Sequence, residues 1–212
     1  MCGIFAYAGS VPPETGHLAA AASGAARRGP HGHGWIARNP DGRHHLHTAL
    51  GPLTHTALHR IPATATALLG HARMATVGRY DDPDALQPWL VNAADGRVHA
   101  VVHNGNVYNA DRLSDRPGAV TDSHALALAY ADLRAAGLTP PVAIKALVDR
   151  AQQHAWVIAV LDSDGRLYGH RHRHPLYTCT AGSGAVYWTS QPCCRTAVPL
   201  PELTVFTALE GS

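Results

Sequence analysis

Cys2 is the residue whose type and position point most directly to chemistry. Removal of Met1 ahead of it would leave a thiol and a free α-amino group on one residue, a nucleophile and its base together. A cysteine thiol titrates near about 8.5 and an α-amine near about 7.7–8.0. Around neutral pH the amine is therefore partly unprotonated and takes the thiol proton directly or through a water. Such a site needs no His-Asp pair. The plainer reading of Cys2 is a small buried residue at the start of an apolar strand. If Met1 stays, the α-amine becomes an amide, the base is lost, and the chain is a non-catalytic binding or regulatory domain.

Other polar positions also carry two readings each. Asn104-Gly105 is a leading signal for a type I′ hairpin turn, Arg73 follows an apolar run, and Asp122 stands where a helix N-cap belongs. His170, His172 and His174 alternate with Arg171 and Arg173, which in an extended strand puts the histidines on one face and the arginines on the other. Without a nearby carboxylate or cysteine pattern this reads as a solvated basic strand or turn near a partner surface, rather than a metal site. Cys2, Cys179, Cys193 and Cys194 form no CxxC pair, which disfavours structural zinc and a disulfide framework. Cys193 and Cys194 are expected as ordinary thiols rather than a vicinal disulfide. No metal and no cofactor is implied.

The length of 212 residues, with 46% apolar and 15% charged residues, predicts one domain over 1–212 with no room for a second catalytic domain. Seventeen basic against fifteen acidic residues give a net charge of +2, too weak a field for a nucleic-acid partner. The sequence lacks a long apolar run and a basic leader at its N-terminus. No membrane span or signal peptide is expected, and a cytoplasmic location is.

The elements that must position these residues are mostly short. Cys2 to Ala8 reads as a buried strand, and residues 34–38, 44–48, 67–72, 98–103, 156–161, 167–171, 176–180, 185–189 and 203–207 read as strands between Gly, Asp and Pro punctuation. Helices are predicted over 14–28, over 124–136 behind the Thr121-Asp122 cap, and over 142–153 behind Pro140-Pro141. The helices are grouped and the alternation of a parallel sheet is missing, which points to α+β layers of two sheets packed between helices. The Asp-rich stretch from Val77 to Arg97 is expected to be a long loop serving as a lid.

Met1-Cys2-Gly3-Ile4, His71-Ala72-Arg73-Met74-Ala75-Thr76-Val77-Gly78, Val102-His103-Asn104-Gly105-Asn106-Val107-Tyr108-Asn109 and Thr121-Asp122-Ser123 follow one another in that order. With these motifs nearly the whole chain resembles the class II glutamine amidotransferases, a family of N-terminal nucleophile hydrolases. Arg28-Gly29, followed by Gly32 and Gly34, is similar to the family's Arg-Gly segment near the nucleophile. The resemblance implies a four-layer αββα sandwich of two mainly antiparallel sheets between helices. It also implies attack of the cysteine on the side-chain amide of glutamine, a γ-glutamyl thioester and release of ammonia. On the matching positions it makes Cys2 nucleophile and base, and it gives the oxyanion hole to the Asn104 side chain and the Gly105 N–H. It assigns the substrate carboxylate to Arg73 with Thr76, the substrate ammonium to Asp122, and a supporting role to Arg28 and Gly29.

Within the family, Gln87-Pro88-Trp89, His103-Asn104-Gly105-Asn106, Thr121-Asp122-Ser123 and His174-Pro175-Leu176 are most similar to the glutaminase domain of glutamine phosphoribosylpyrophosphate amidotransferase. The branch that makes glucosamine phosphate has Trp-Ala-Thr-His-Gly where this chain has Met74-Ala75-Thr76-Val77-Gly78. A phosphoribosyltransferase part is missing, so the ammonia acceptor is expected on a separate synthase. The alternative is a free-standing hydrolase that removes a γ-glutamyl group from a larger metabolite. His33-Gly34-Trp35-Ile36-Ala37 is similar to the Asp-Gly-Trp-Gly segment of deprotecting enzymes of that kind, although their Met-Cys-Arg start is not present.

Overall fold

In a computed structural model that describes residues 1–75 and 79–208, the apolar run after Cys2 forms β1 (Gly3–Ala8), and all six of its residues are buried. Burial on both faces needs a layer on each side, and the side chains divide with period two. Phe5 and Tyr7 pack with Leu18, Ala21 and Ala25 of α1 (Thr15–Ala26), while Ile4, Ala6 and Ala8 turn toward a second sheet. The strand is central in its own sheet, pairing antiparallel with β4 (Ala67–Arg73) and β10 (Val186–Thr189). The sheet is completed by β2 (Gly32–Arg38), β3 (His44–Leu50), β9 (Tyr177–Thr180) and β11 (Val198–Pro199), in the order β11-β9-β10-β1-β4-β2-β3.

The second sheet holds β5 (Trp89–Asn92), β6 (Val98–Asn104), β7 (Trp156–Leu161), β8 (Leu167–His172) and β12 (Phe206–Ala208), in the order β12-β8-β7-β6-β5. Every ladder within both sheets is antiparallel. Its inner face sets Ala100, Val102, Val157 and Ala159 against Ile4, Ile36 and Leu69. Its outer face sets Val101, Ile158 and Val160 against Leu126 and Tyr130 of α3 (Asp122–Ala135) and Ile144 and Leu147 of α4 (Pro140–Arg150). Burying each of these large side chains is worth about 1.5–3 kcal/mol, which is what holds the helices down. The layers therefore run helix, sheet, sheet, helix, an α+β fold as expected. A short α2 (His55–Leu58) adds Ala57 to the α1 side. No helix among the described residues is long and apolar enough to cross a membrane.

Several local expectations need correction. The stretch from Val77 to Arg97 is not one long loop, since it contains a 3₁₀ turn at Pro83–Ala85, a cis peptide between Gln87 and Pro88, and β5. Val91 of β5 is buried in the α3 cluster and the Trp89 ring stacks on His124 at 4.1 Å, an apolar anchor that the surrounding Asp and Pro disguise in the sequence. The Cys193-Cys194 pair is not two free thiols. Cys194 is disulfide-bonded to Cys179 on β9, and Cys193 is free. The histidine stripe is solvated only in part. His170 is buried and accepts the Trp156 indole N–H, while Arg171 is held by Leu200 O and Glu202. Arg173 adopts φ 61°, so the strand alternation ends there.

Beneath α3 lies a buried charge cluster. Asp162 receives both Nε and Nη2 of Arg134 at 2.9 and 3.1 Å, the Tyr130 hydroxyl at 2.6 Å, and has His99 Nδ1 at 2.9 Å. These partners overcome the cost of burial and hold the Asp162 carboxyl far below its ordinary value. A depressed carboxyl contributes stability that is fully present above its unfolded value and is lost as pH falls toward the folded one. Asp162→Asn should therefore lower stability by about 3–5 kcal/mol at pH 7 in urea unfolding. Its deficit relative to wild type should narrow progressively below about pH 4. A deficit independent of pH would contradict this assignment.

Candidate active site

The start of β1, the end of β4 and the end of β6 meet at one edge of the two sheets, because Gly3 pairs with Ala72 and Asn104 closes β6 opposite Val157. Cys2 lies just ahead of β1 and is half-buried. Met74 N donates to its Sγ at 3.3 Å, and the thiol reaches back to Met74 O at 3.5 Å. Its carbonyl oxygen accepts from Arg28 Nε at 2.8 Å and from Asn104 Nδ2 at 3.0 Å. Burial pushes the thiol up from its ordinary value, against the Met74 amide and the positive charges of the chain's amino end, Arg73 and Arg28.

Arg28 reaches Cys2 because the chain after α1 passes tightly against β4. A Cβ on Gly29 would stand 2.2 Å from Ala72 O, so only glycine allows this approach. The other supporting expectation, Arg28, is placed by its bond to the Cys2 carbonyl. Gly105 adopts φ 152°, and a Cβ there would meet His103 Nε2 at 2.7 Å. Asn104-Gly105 is thus a strand end rather than a hairpin turn, with Asn104 buried between the sheets.

A cavity of about 70 Å³ is lined by Cys2, Arg73, Gln87, Gly105, Asn106 and Asp122. It adjoins a larger one of about 340 Å³ that shares Arg73, Asn106 and Asp122 and adds Asp82, Tyr108 and Val120. The helix cap is Thr121, whose side chain accepts from His124 N at 3.0 Å. Asp122 is the first helical residue, and its carboxylate accepts from Val107 N and Ser123 N, both at 2.8 Å. Arg73, 7% exposed, spends its fork on main-chain carbonyls, Nη1 on Tyr80 O at 3.1 Å and Nη2 on Arg79 O at 3.0 Å. Thr76 lies outside the described residues.

Three buried side chains that the sequence reading left without a role complete the surroundings. His71 Nε2 is 3.1 Å from Asn104 Oδ1. Gln87 clamps the main chain of His103, donating to its carbonyl at 3.2 Å and accepting from its N–H at 2.7 Å. His103 itself sits 3.0 Å from Ser123 Oγ, and burial lowers its pKa. His71 and His103 fall inside the motifs that carry the resemblance, but nothing in those motifs states which atoms they meet.

No family model matches the chain, and neither does any curated protein. Among solved structures the chain is similar in fold to the glutamine phosphoribosylpyrophosphate (PRPP) amidotransferase from B. subtilis complexed with ADP and GMP. The TM-score is 0.76 at 20% identity, covering 97% of this chain and 47% of that one. A structure described as the allosteric regulatory enzyme of purine biosynthesis gives 0.75 at 21% identity, with 97% and 46% covered. A predicted glutamine amidotransferase from Pseudomonas aeruginosa PA01 gives 0.63 at 16% identity, with 97% and 96% covered. The chain spans about half the length of the first two. At such identities the likeness fixes the fold, which is the N-terminal nucleophile hydrolase fold of an amidotransferase's glutaminase domain.

The environment of Cys2 fixes its reactivity while Met1 is in place. In a Cys193→Ser background, alkylation of Cys2 by iodoacetamide should be slow at pH 7 and should still be rising above pH 9, because burial holds the thiol protonated. An inflection below pH 8 would contradict that environment.

Proposed function

We propose that residues 1–212 are a class II glutamine amidotransferase domain that hydrolyses the side-chain amide of glutamine to glutamate and ammonia. The observation that carries this reading is the convergence on Cys2, in one cavity, of Arg73, Gly105 and Asp122 from three separate elements, with Asn104 bonded to the Cys2 carbonyl. After removal of Met1, the Cys2 amine takes the thiol proton and Sγ attacks the amide carbon. The oxyanion is received by the Asn104 side-chain amide and the Gly105 N–H, a preorganised pair of which one donor is worth about 2.7–4 kcal/mol. The carbon–nitrogen bond breaks as the amine returns its proton to the leaving nitrogen, giving ammonia and a γ-glutamyl thioester. Water then adds to the thioester, with the amine as base, and glutamate leaves as the thiol is restored.

The remote end of the substrate is an amino-acid headgroup. Arg73 offers two parallel donors at the spacing a carboxylate needs, and Asp122 supplies a negative charge for the α-ammonium. The carbonyls of Arg79 and Tyr80 now occupy those donors, so substrate binding exchanges two neutral acceptors for one charged one, and Thr76 is proposed to assist. Ammonia is handed to a separate synthase, and the exposed Tyr80 and Tyr108 beside the site suit a docked partner. A second reading, hydrolysis of a larger γ-glutamyl compound, is favoured by the adjoining cavity of about 340 Å³.

Cys2→Ala should abolish glutamate release, with a loss of more than about 10³-fold in kcat, and Cys2→Ser should come close to it. Arg73→Lys should raise KM for glutamine about 10-fold, since a point charge replaces the fork. Steady-state glutaminase assays check both. Substantial turnover by Cys2→Ala would remove the nucleophile, and unchanged KM in Arg73→Lys would remove the headgroup assignment.

A further inference from the structure

We infer that His71 is a positioning residue that fixes the orientation of the Asn104 amide and thereby builds the oxyanion hole, an inference that rests on the glutaminase reading above. The two ends of an asparagine amide have nearly the same shape, so packing does not choose between them, and hydrogen bonding must. Here Nδ2 donates to the Cys2 carbonyl at 3.0 Å and Oδ1 stands 3.1 Å from His71 Nε2. Reversing the amide would set two carbonyl oxygens against each other at Cys2. It would also turn the amide's donors away from the nucleophile.

The fold places His71 for this purpose. On β4 the side chains of Ala67 and Leu69 enter the layer between the sheets, and His71 follows with the same parity. On β6 Ala100 and Val102 enter that layer from the opposite side, and Asn104 follows them. The apolar interface between the sheets therefore ends in one polar pair, His71 and Asn104, both buried.

The state of the imidazole follows from the environment of its other nitrogen. Nδ1 of His71 is buried without a hydrogen-bond partner among the described residues. A proton on Nδ1 would be an orphaned buried donor, and Nε2 would then face Oδ1 with two lone pairs and no hydrogen between them. A proton on Nε2 satisfies Asn104 Oδ1 and leaves only an acceptor unpaired, the cheaper outcome. Burial, with smaller contributions from His103 and Arg73, takes the His71 pKa down to about 3, against the opposing effect of the Asn104 bond. The ring is neutral over the whole working range, a fixed donor rather than a proton carrier.

Two readouts test the assignment. In protein labelled with ¹⁵N-histidine, the resonance pair lost in His71→Gln should show the Nε2–H tautomer from pH 5 to pH 8, and an Nδ1–H pattern would overturn the inference. In glutaminase kinetics, His71→Leu should lower kcat about 10²-fold, approaching the loss from removing one oxyanion donor, with KM for glutamine within about 3-fold of wild type. His71→Gln, whose amide nitrogen reaches the same oxygen, should restore kcat to within about 10-fold of wild type. In an Asn104→Ala background, His71→Leu should cost nothing further, because its effect passes through Asn104. Unchanged kcat in His71→Leu, a Gln variant as poor as Leu, or additive losses with Asn104→Ala would each overturn it. If wild type itself releases no ammonia the glutaminase reading fails, and the tautomer still decides whether His71 holds Asn104. Should His71→Leu fail to fold, the tautomer and the Gln variant carry the test.

Discussion

The carbonyl oxygen of Cys2 is the point on which the site depends. A residue next to a chain end ordinarily frays, yet this one is held by a guanidinium from the turn after α1 and an amide from the end of β6, at 2.8 and 3.0 Å. A hydrogen bond from a charged donor is worth about 1.5–3 kcal/mol and a neutral one about 0.5–1.5 kcal/mol, enough together to fix a single short segment. Ile4 extends the hold, since its N–H and carbonyl both bond Ser190 beyond β10. The central, fully buried position of β1 follows from the same need, because a strand at the edge of a sheet would leave its first residue free to move.

The charged members of the site show how a fold satisfies charges drawn partly or wholly out of water. Arg73 is nearly buried and is satisfied by the carbonyls of Arg79 and Tyr80, and Asp122 is satisfied by the amides of Val107 and Ser123. Leaving either group unpaired would cost more than a lost hydrogen bond, and the main chain supplies the partners. Asp122 differs from Arg73 in that its partners belong to its own helix start and the loop after Gly105. It holds the cavity wall in shape, while the partners of Arg73 come from the segment that leads into Asp82 of the larger cavity.

Much of this architecture is legible in the sequence. The apolar run after Cys2, the strands at 156–161 and 67–72, and the Thr121 cap are all local signals, and the structure places each within a residue or two. The grouping of the helices points to two sheets packed between them, and the resemblance implies the full αββα order. What local signals could not supply are pairings across long separations. β5 hides among Asp and Pro because its anchor is a stack of Trp89 on His124. Cys179 finds Cys194 rather than leaving it beside Cys193 because β9 passes the loop after β10. His170 reads as solvated until Trp156 is set beside it. Gly29 directly follows the helix predicted over 14–28, and only the structure shows its close approach to Ala72.

The central claim is that Cys2, once freed of Met1, is a nucleophile aimed at the side-chain amide of glutamine. Intact mass spectrometry before and after incubation with 6-diazo-5-oxo-norleucine, a glutamine analogue that alkylates a competent nucleophile, tests it most directly. The account predicts a mature chain lacking Met1 that gains one adduct, mapped by peptide analysis to Cys2. A mature chain lacking Met1 that gains no adduct, or an adduct mapped to Cys193, would contradict it.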